Sequence, residues 1–170
     1  EYLDPLYYKN DSLLGVPGVI NSYKTGHVNI CSAPGAGLAD DKAVYTFMPD
    51  IIKFYLGEEP ILKNIKTWRC YDVKESKYVI NNLEKLVVKE VHGSGGYGML
   101  IGSKASKKEL NIFKNKINKD PENFIAQPIL ELSTVPIFDK SSLSNRHVDL
   151  RPFSLIGHKK FKLVSGALTR

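Results

Sequence analysis

The sequence predicts an α+β fold of antiparallel sheets with flanking helices. Two observations support this class. From residue 86 onward, short apolar runs alternate with glycine, proline and other turn residues, as strands linked by loops do. Residues 106–117 instead carry a helix-start signal followed by apolar residues at helical spacing. Because the chain begins at Glu1 without a methionine and stops abruptly after a strand-like stretch, we expect it to be the C-terminal portion of a larger protein.

The N-terminal part is predicted to be mostly irregular. Residues 1–22 hold several turn formers, whereas residues 26–33 are predicted to form a short strand with Val28 and Ile30 on one face. The proline and glycines that follow the predicted strand favour a loop leading into a helix.

A helix is expected after Asp40 and Asp41, because apolar residues recur at helical spacing from Val44 onward. Pro49 is expected to kink or split it, and Gly57 to end it. A strand, loop and helix in this order could hold an anion at the helix N-terminus. The two carboxylates there favour simple capping instead.

The stretch from Lys89 to Gly102, K-E-V-H-G-S-G-G-Y-G-M-L-I-G, is predicted to be strand, glycine loop and strand. Glycines allow backbone N–H groups to converge on an anion, and the lysine adds a compact positive charge. This pattern favours a polyphosphate ligand, with ATP as the first candidate. An ordinary glycine-rich hairpin beside a surface lysine explains the pattern about equally well, since a match to G-x-G-x-x-G alone is weak.

The remaining elements follow from similar signals. The sequence S-K-K-E at residues 106–109 is a capping box that opens a helix. Residues 124–129 are predicted to form a buried strand, and residues 133–136 a turn or connector. Two further strands are expected over 147–156 and 161–170, and Pro152 implies an edge position or a bulge in the first.

Asp149 and Arg151 fall on one face of the first of these two strands. They suit either a surface ion pair or a carboxylate and a guanidinium directed into one cleft.

Composition excludes several classes of function. With 42% hydrophobic and 25% charged residues and no long apolar run, we expect a globular protein without membrane association. The net charge is +6, but the lysines are scattered and no nucleic-acid motif accompanies them, so no nucleic-acid partner is expected. Cys31 and Cys70 are far apart and the histidines form no ligand pair, which predicts a reducing, cytoplasmic setting and no metal site.

Several separated motifs resemble the circularly permuted ATP-grasp proteins. They include D-S-L-L-G-V-P-G, G-L-A-D-D-K-A-V-Y, V-V-K-E-V-H-G-S-G-G-Y-G-M-L-I-G, F-I-A-Q-P-I-L-E-L-S-T-V-P and R-H-V-D-L-R-P-F. They occur in the family's order and cover nearly the whole chain. The resemblance implies an ATP-grasp-like fold, with residues 1–70 belonging to an adjoining α/β domain and residues 71–170 forming the nucleotide-binding region. It also implies an ATP-dependent carboxylate–amine ligase that works through an acyl phosphate, or a non-catalytic binding module derived from one.

Site residues are carried over from this resemblance position by position. Lys89 corresponds to the phosphate-contacting lysine, and Gln127 to the start of the adenine hinge. The glycine loop that closes over the phosphates corresponds to Gly93, Ser94, Gly95, Gly96 and Gly98. Asp149, Arg151 and Arg170 correspond to catalytic residues of the cleft. In the family these residues stabilise the phosphate or the developing acyl phosphate.

The family's magnesium-binding strand, a glutamate and an asparagine separated by one residue, normally lies upstream of where this chain starts. No predicted strand of this sequence carries that pattern. The resemblance implies ATP and Mg²⁺ as cofactors. Because the magnesium-binding strand is missing, we expect the metal ligands mostly outside this chain. We expect the chain alone to be inactive, and the resemblance leaves the role of Asp40, Asp41 and Lys42 unassigned.

Overall fold

The computed structural model describes residues 2–31, 34–158 and 160–169. The chain divides into two compact units, Glu1–Pro128 and Ile129–Arg170. The predicted boundary near residue 70 separates a segment of an adjoining α/β domain from the nucleotide-binding region. This boundary stays a prediction. Within the described ranges, no helix has the length and apolar character needed to cross a bilayer.

The first unit begins with an irregular segment held by one buried carboxylate. Asp4 is fully buried and accepts hydrogen bonds from the N–H groups of Leu6 (3.0 Å), Gly18 (3.1 Å) and Ile20 (3.0 Å). Burial acts to raise the pKa of Asp4, but the three backbone donors outweigh it and the pKa is lowered. Among the described residues Asp4 is the one buried polar or charged side chain. Because its carboxylate bonds to Gly18 and Ile20, it fixes this segment to the start of helix α1 (Val19–Lys24).

The predicted strand at residues 26–33 is wrong where the structure describes it. Residues 26–31 are turn and irregular chain, because none of the described strands pairs with them. The predicted helix is divided into a 3₁₀ turn at Val44–Phe47 and helix α2 (Met48–Leu56). Pro49 lies in the first turn of α2, where its missing N–H costs nothing, and Gly57 ends the helix with φ 68°.

A four-stranded antiparallel sheet forms the centre of the first unit, with strand order β1-β4-β2-β3. The predicted strand, loop and strand are confirmed, as are the helix that follows the capping box and the buried strand after it. The strands are β1 (Trp68–Arg69), β2 (Leu86–Glu90), β3 (Met99–Ile101) and β4 (Phe124–Pro128).

Helices α3 (Val73–Asn81) and α4 (Lys107–Lys119) supply side chains to the apolar core beside this sheet. Val79 of α3, Ile117 of α4 and Val88 of β2 are all fully buried. Alternation along β2 places Val88 in the core and turns Lys89 away from it. The core therefore fixes the strand that presents the candidate phosphate-binding lysine.

The second unit consists of two antiparallel hairpins. The first joins β5 (Thr134–Asp139) to β6 (Ser142–His147), and the second joins β7 (Leu150–Ile156) to β8 (Phe161–Thr169). β7 pairs with β8, and the irregularity of this pairing at Pro152 confirms the bulge that the sequence predicts as one of two alternatives.

Two predictions for this unit are wrong. Residues 133–136 lead into a strand rather than a connector, because Pro136 lies in a two-stranded hairpin where a missing N–H is tolerated. The single strand predicted over 147–156 is broken at Val148 and Asp149, between β6 and β7.

Candidate functional site

Lys89 and Gln127 lie next to each other on neighbouring strands. In the antiparallel register of β2 and β4, Lys89 pairs with Ile125 and Val87 with Gln127, so Lys89 and Gln127 are diagonal neighbours on one face. The Lys89 ammonium donates a hydrogen bond to Gln127 Oε1 at 2.8 Å. The structure thus brings together two of the residues that the resemblance selected.

These two side chains line a cleft of about 370 Å³. The same cleft is lined by the motif of unassigned role, Asp40, Asp41 and Lys42. The sequence does not indicate that this motif lies beside Lys89, because 47 positions separate Lys42 from Lys89 and no local pattern encodes such a contact.

Asp41 and Lys42 are held in different ways. The Asp41 carboxylate accepts hydrogen bonds from the N–H groups of Ala43 (2.7 Å) and Val44 (3.2 Å), so it caps the 3₁₀ turn as predicted for this position. Lys42 Nζ instead donates to the carbonyl of Val91 at 3.2 Å and to the carbonyl of Gly93. The Lys42 ammonium therefore lies at the start of the glycine loop and at the wall of the cleft.

The glycine loop leaves β2 and returns as β3 without becoming helical. Gly95, Gly96 and Gly98 all have φ between 64° and 83°, in the left-handed region that favours glycine. Ser94, Gly95 and Gly96 are exposed, while the Gly98 carbonyl accepts a 3.0 Å hydrogen bond from the N–H of Glu90. The tip of the loop thus faces solvent and its base continues the sheet.

The cleft holds two ammonium groups close enough to influence each other. Burial lowers the pKa of Lys89 below the ordinary lysine value, and the positive charge of Lys42 lowers it further. Among the described residues, no ion pair joins Lys89 to a carboxylate. An anion between the two ammoniums would relieve their repulsion.

The predicted catalytic residues belong to the second unit or lie outside the described ranges. Asp149 Oδ2 is 4.0 Å from Arg151 Nε, and both side chains are partly exposed. This is the geometry of a weak surface pair. Arg170 lies outside the described residues.

Comparison with known proteins decides the family. A model of the circularly permuted ATP-grasp type 2 family matches residues 1–170. The chain belongs to this family. The resemblance seen in the sequence motifs is therefore confirmed, and so is the α+β class with antiparallel sheets.

Several relatives are considerably longer than this chain. An uncharacterized protein of Synechocystis sp. is 44% identical over 170 residues, which are 100% of this chain and 35% of that protein. An uncharacterized protein of Mycobacterium leprae is 47% identical over 169 residues, or 99% of this chain and 30% of that protein. The chain thus spans about a third of the length of these relatives.

A third relative has a name that mentions an activity. A protein of Frankia alni, whose name contains the words glutamate--cysteine ligase, is 38% identical over 154 residues. The match covers 91% of this chain and 18% of that protein.

Proposed function

We propose that this ATP-grasp chain supplies the nucleotide-binding part of an ATP-dependent carboxylate–amine ligase. The observation that carries the proposal is the convergence of Lys42 and Lys89 in one cleft, with Lys42 also donating a hydrogen bond to the first glycine of the glycine loop. Ligands with several negative charges suit two ammoniums that no ion pair neutralises among the described residues. Family membership favours ATP as that ligand.

In this proposal the chain acts through electrostatics and positioning. Lys89 and Lys42 donate hydrogen bonds to phosphate oxygens, and the N–H groups of residues 93–98 converge on the same charges when the loop closes. Negative charge that moves onto phosphate oxygens during phosphoryl transfer is stabilised by groups already in place. The acceptor carboxylate would take the γ-phosphoryl group of ATP and release ADP, and the amine would then attack the acyl carbon and displace phosphate.

The described residues contain no ready-made cluster of metal ligands for magnesium. No group of three or more His, Cys, Asp or Glu side chains lies close enough together in the described ranges to hold a metal ion. We therefore assign no step to a metal here, and the predicted location of its ligands outside this chain stays a prediction.

The roles predicted for Gln127, Asp149, Arg151 and Arg170 stay predictions as well. In the structure the Gln127 side chain accepts a hydrogen bond from Lys89, and this contact does not test the predicted adenine hinge at Gln127 and the residues after it. The Asp149–Arg151 pair is partly exposed and its atoms are 4.0 Å apart, and such a pair is worth about 0–1 kcal/mol.

The first test is binding of ATP, ADP and AMP to the 170-residue chain by calorimetry. If the two lysines hold the β- and γ-phosphates, affinity falls in that order, and Lys89→Met weakens ATP binding by about 10- to 100-fold while affecting AMP little. Lys63→Met is the matched control, because Lys63 is exposed and does not line the cleft. Equal affinity of wild type and Lys89→Met for ATP would remove Lys89 from the site.

The second test concerns the ligase and uses the complete protein that carries this chain. The name of the Frankia relative makes glutamate and cysteine the first substrates to try, followed by mixed amino acids. Release of ADP that requires both a carboxylate and an amine supports the ligase. Tight ATP binding without such release supports the alternative, a non-catalytic ATP-binding or protein-interaction module.

A further inference from the structure

A continuous path of hydrogen bonds runs from a backbone carbonyl to the Lys89 ammonium. The Thr67 hydroxyl donates to the carbonyl of Ile65 at 3.0 Å, Gln127 Nε2 donates to Thr67 Oγ1 at 2.9 Å, and Lys89 Nζ donates to Gln127 Oε1 at 2.8 Å. All three side chains are partly buried. The path crosses from the residue preceding β1 through β4 to β2.

The direction of every bond in this path is determined by chemistry. An ammonium only donates hydrogen bonds, so the carbonyl oxygen of the Gln127 amide must face Lys89. The NH₂ group then faces Thr67, whose hydroxyl oxygen accepts from it and sends its own hydrogen to the Ile65 carbonyl. The reverse orientation of the amide would place two donors against each other.

The backbone register makes this arrangement a property of the fold. Trp68 pairs with Ala126 and Arg69 with Ile125, so Thr67 follows opposite Gln127 at the end of the same antiparallel ladder. Lys89 is the diagonal neighbour of Gln127 on the other side. Strands β2 and β4, together with the start of β1, therefore fix the three side chains relative to one another.

We propose that Thr67 is a positioning residue that orients the Gln127 amide and, through it, the Lys89 ammonium in the cleft. A neutral amide suits this task better than a carboxylate would. It holds the ammonium in one direction without cancelling the positive charge, which stays available for an anionic ligand. The consequence for ATP rests on the proposed function, whereas the orientation of Lys89 does not.

Two substitutions of Thr67 in the 170-residue chain separate positioning from packing. Thr67→Val keeps the shape of the side chain and removes the hydroxyl, so Gln127 loses its acceptor and is free to rotate. Thr67→Ser keeps the hydroxyl and removes only a methyl group. Fluorescence of Trp68, which is the single tryptophan, checks that each variant is folded.

The first measurement follows Lys89 directly and needs no nucleotide. Acetic anhydride labelling at pH 8, resolved by peptide mass spectrometry, reports how readily each lysine loses its proton and reacts. Loss of a well-aimed acceptor lowers the pKa of Lys89, so Thr67→Val is expected to raise its labelling rate by about twofold or more. Thr67→Ser keeps the wild-type rate, and Lys63 serves as the internal control in all samples.

The second measurement is ATP affinity by calorimetry. Thr67→Val is expected to weaken binding about tenfold, and Thr67→Ser to stay within about twofold of wild type. Unchanged Lys89 labelling in Thr67→Val, or equal effects of valine and serine, would overturn the positioning role. If Thr67→Val does not fold, Gln127→Met replaces it, and unchanged Lys89 labelling in that variant overturns the proposal equally.

The two measurements also separate this inference from the proposed function. If the wild-type chain binds no ATP but Thr67→Val changes Lys89 labelling as expected, the nucleotide proposal fails and the positioning role stands. If the wild-type chain binds ATP but Thr67→Val leaves Lys89 labelling unchanged, the positioning role fails and the nucleotide proposal stands.

Discussion

Gly98→Ala is expected to destabilise the first unit because Gly98 ends the glycine loop in a conformation that other residues resist. Its φ is 65°, and its carbonyl accepts the 3.0 Å hydrogen bond that returns the chain to the sheet. An alanine there must either adopt the left-handed region or pull the loop away from β2.

Two contributions set the magnitude. Left-handed backbone costs a non-glycine residue about 1–2 kcal/mol. The new Cβ would also lie 2.8 Å from Glu90 Cγ and overlap the end of that side chain. The overlap is relieved if the Glu90 side chain rotates away and gives up its 3.8 Å pair with Lys116, which is worth about 0–1 kcal/mol. The sum is about 1–3 kcal/mol, or an unfolding constant raised about 5- to 150-fold.

Urea unfolding followed by Trp68 fluorescence measures this loss, since Trp68 stacks on Tyr78 at 4.9 Å within the first unit. Gly37→Ala is the matched control, because Gly37 lacks a positive φ and no heavy atom lies within 4 Å of its added Cβ. The double variant Glu90→Ala/Gly98→Ala isolates the backbone contribution. If Gly98→Ala stayed within about 0.5 kcal/mol of wild type, or matched Gly37→Ala, the conformational reasoning would be refuted.

Three further predictions concern packing, thiol chemistry and pH. Ile117→Ala, at a fully buried core position, should lower the free energy of unfolding in urea by about 2–5 kcal/mol. Ile112→Ala, on the exposed face of the same helix, should lower it by under about 1 kcal/mol, and similar losses for the two variants would contradict the core assignment. Burial, followed by the nearby Glu75 charge, raises the pKa of the Cys70 thiol to about 12, so a thiol reagent at pH 8 should label exposed Cys31 and reach Cys70 only in denaturant. The hydrogen bond from the N-cap serine hydroxyl lowers the pKa of Glu109 below 4.5, so its support of α4 is present above that pH and lost as pH falls through the folded value. An NMR titration that placed the Glu109 pKa at or above 4.5 would contradict this.

Local signals in the sequence were sufficient where one short segment determines its own structure. The capping box forms as predicted, because Ser106 and Glu109 satisfy each other's backbone donors without help from distant residues. The strand before the glycine loop was also predictable, since the apolar run Leu86–Val88 supplies Leu86 and Val88 to the core face of β2. The predictions for residues 26–31 and 133–136 were wrong because a strand forms only where a partner strand pairs with it. Residues 26–31 have no such partner among the described strands, whereas residues from Thr134 onward pair with β6.

The candidate site could be predicted only in part for the same reason. Lys89 and Gln127 were selected by their resemblance to a family, but their mutual hydrogen bond depends on the register of two strands that lie 38 positions apart. Lys42 reaches the loop from 49 and 51 positions away. Thr67 carries no sequence signal at all, because its importance arises only from the amide that it faces across the ladder.

The buried carboxylate of Asp4 holds the first twenty residues together as a clasp, by which we mean its hydrogen bonds to Leu6, Gly18 and Ile20. Protonation of Asp4 in acid weakens these bonds. The lowered pKa of Asp4 means that the clasp is closed above the ordinary aspartate range and opens as pH falls through the folded value. The apolar core beside the four-stranded sheet contains no such titrating anchor among its described members. Acid below the ordinary aspartate pKa of 3.8 should therefore expose the N-terminal segment to an acid-active protease while the sheet that carries the cleft stays intact.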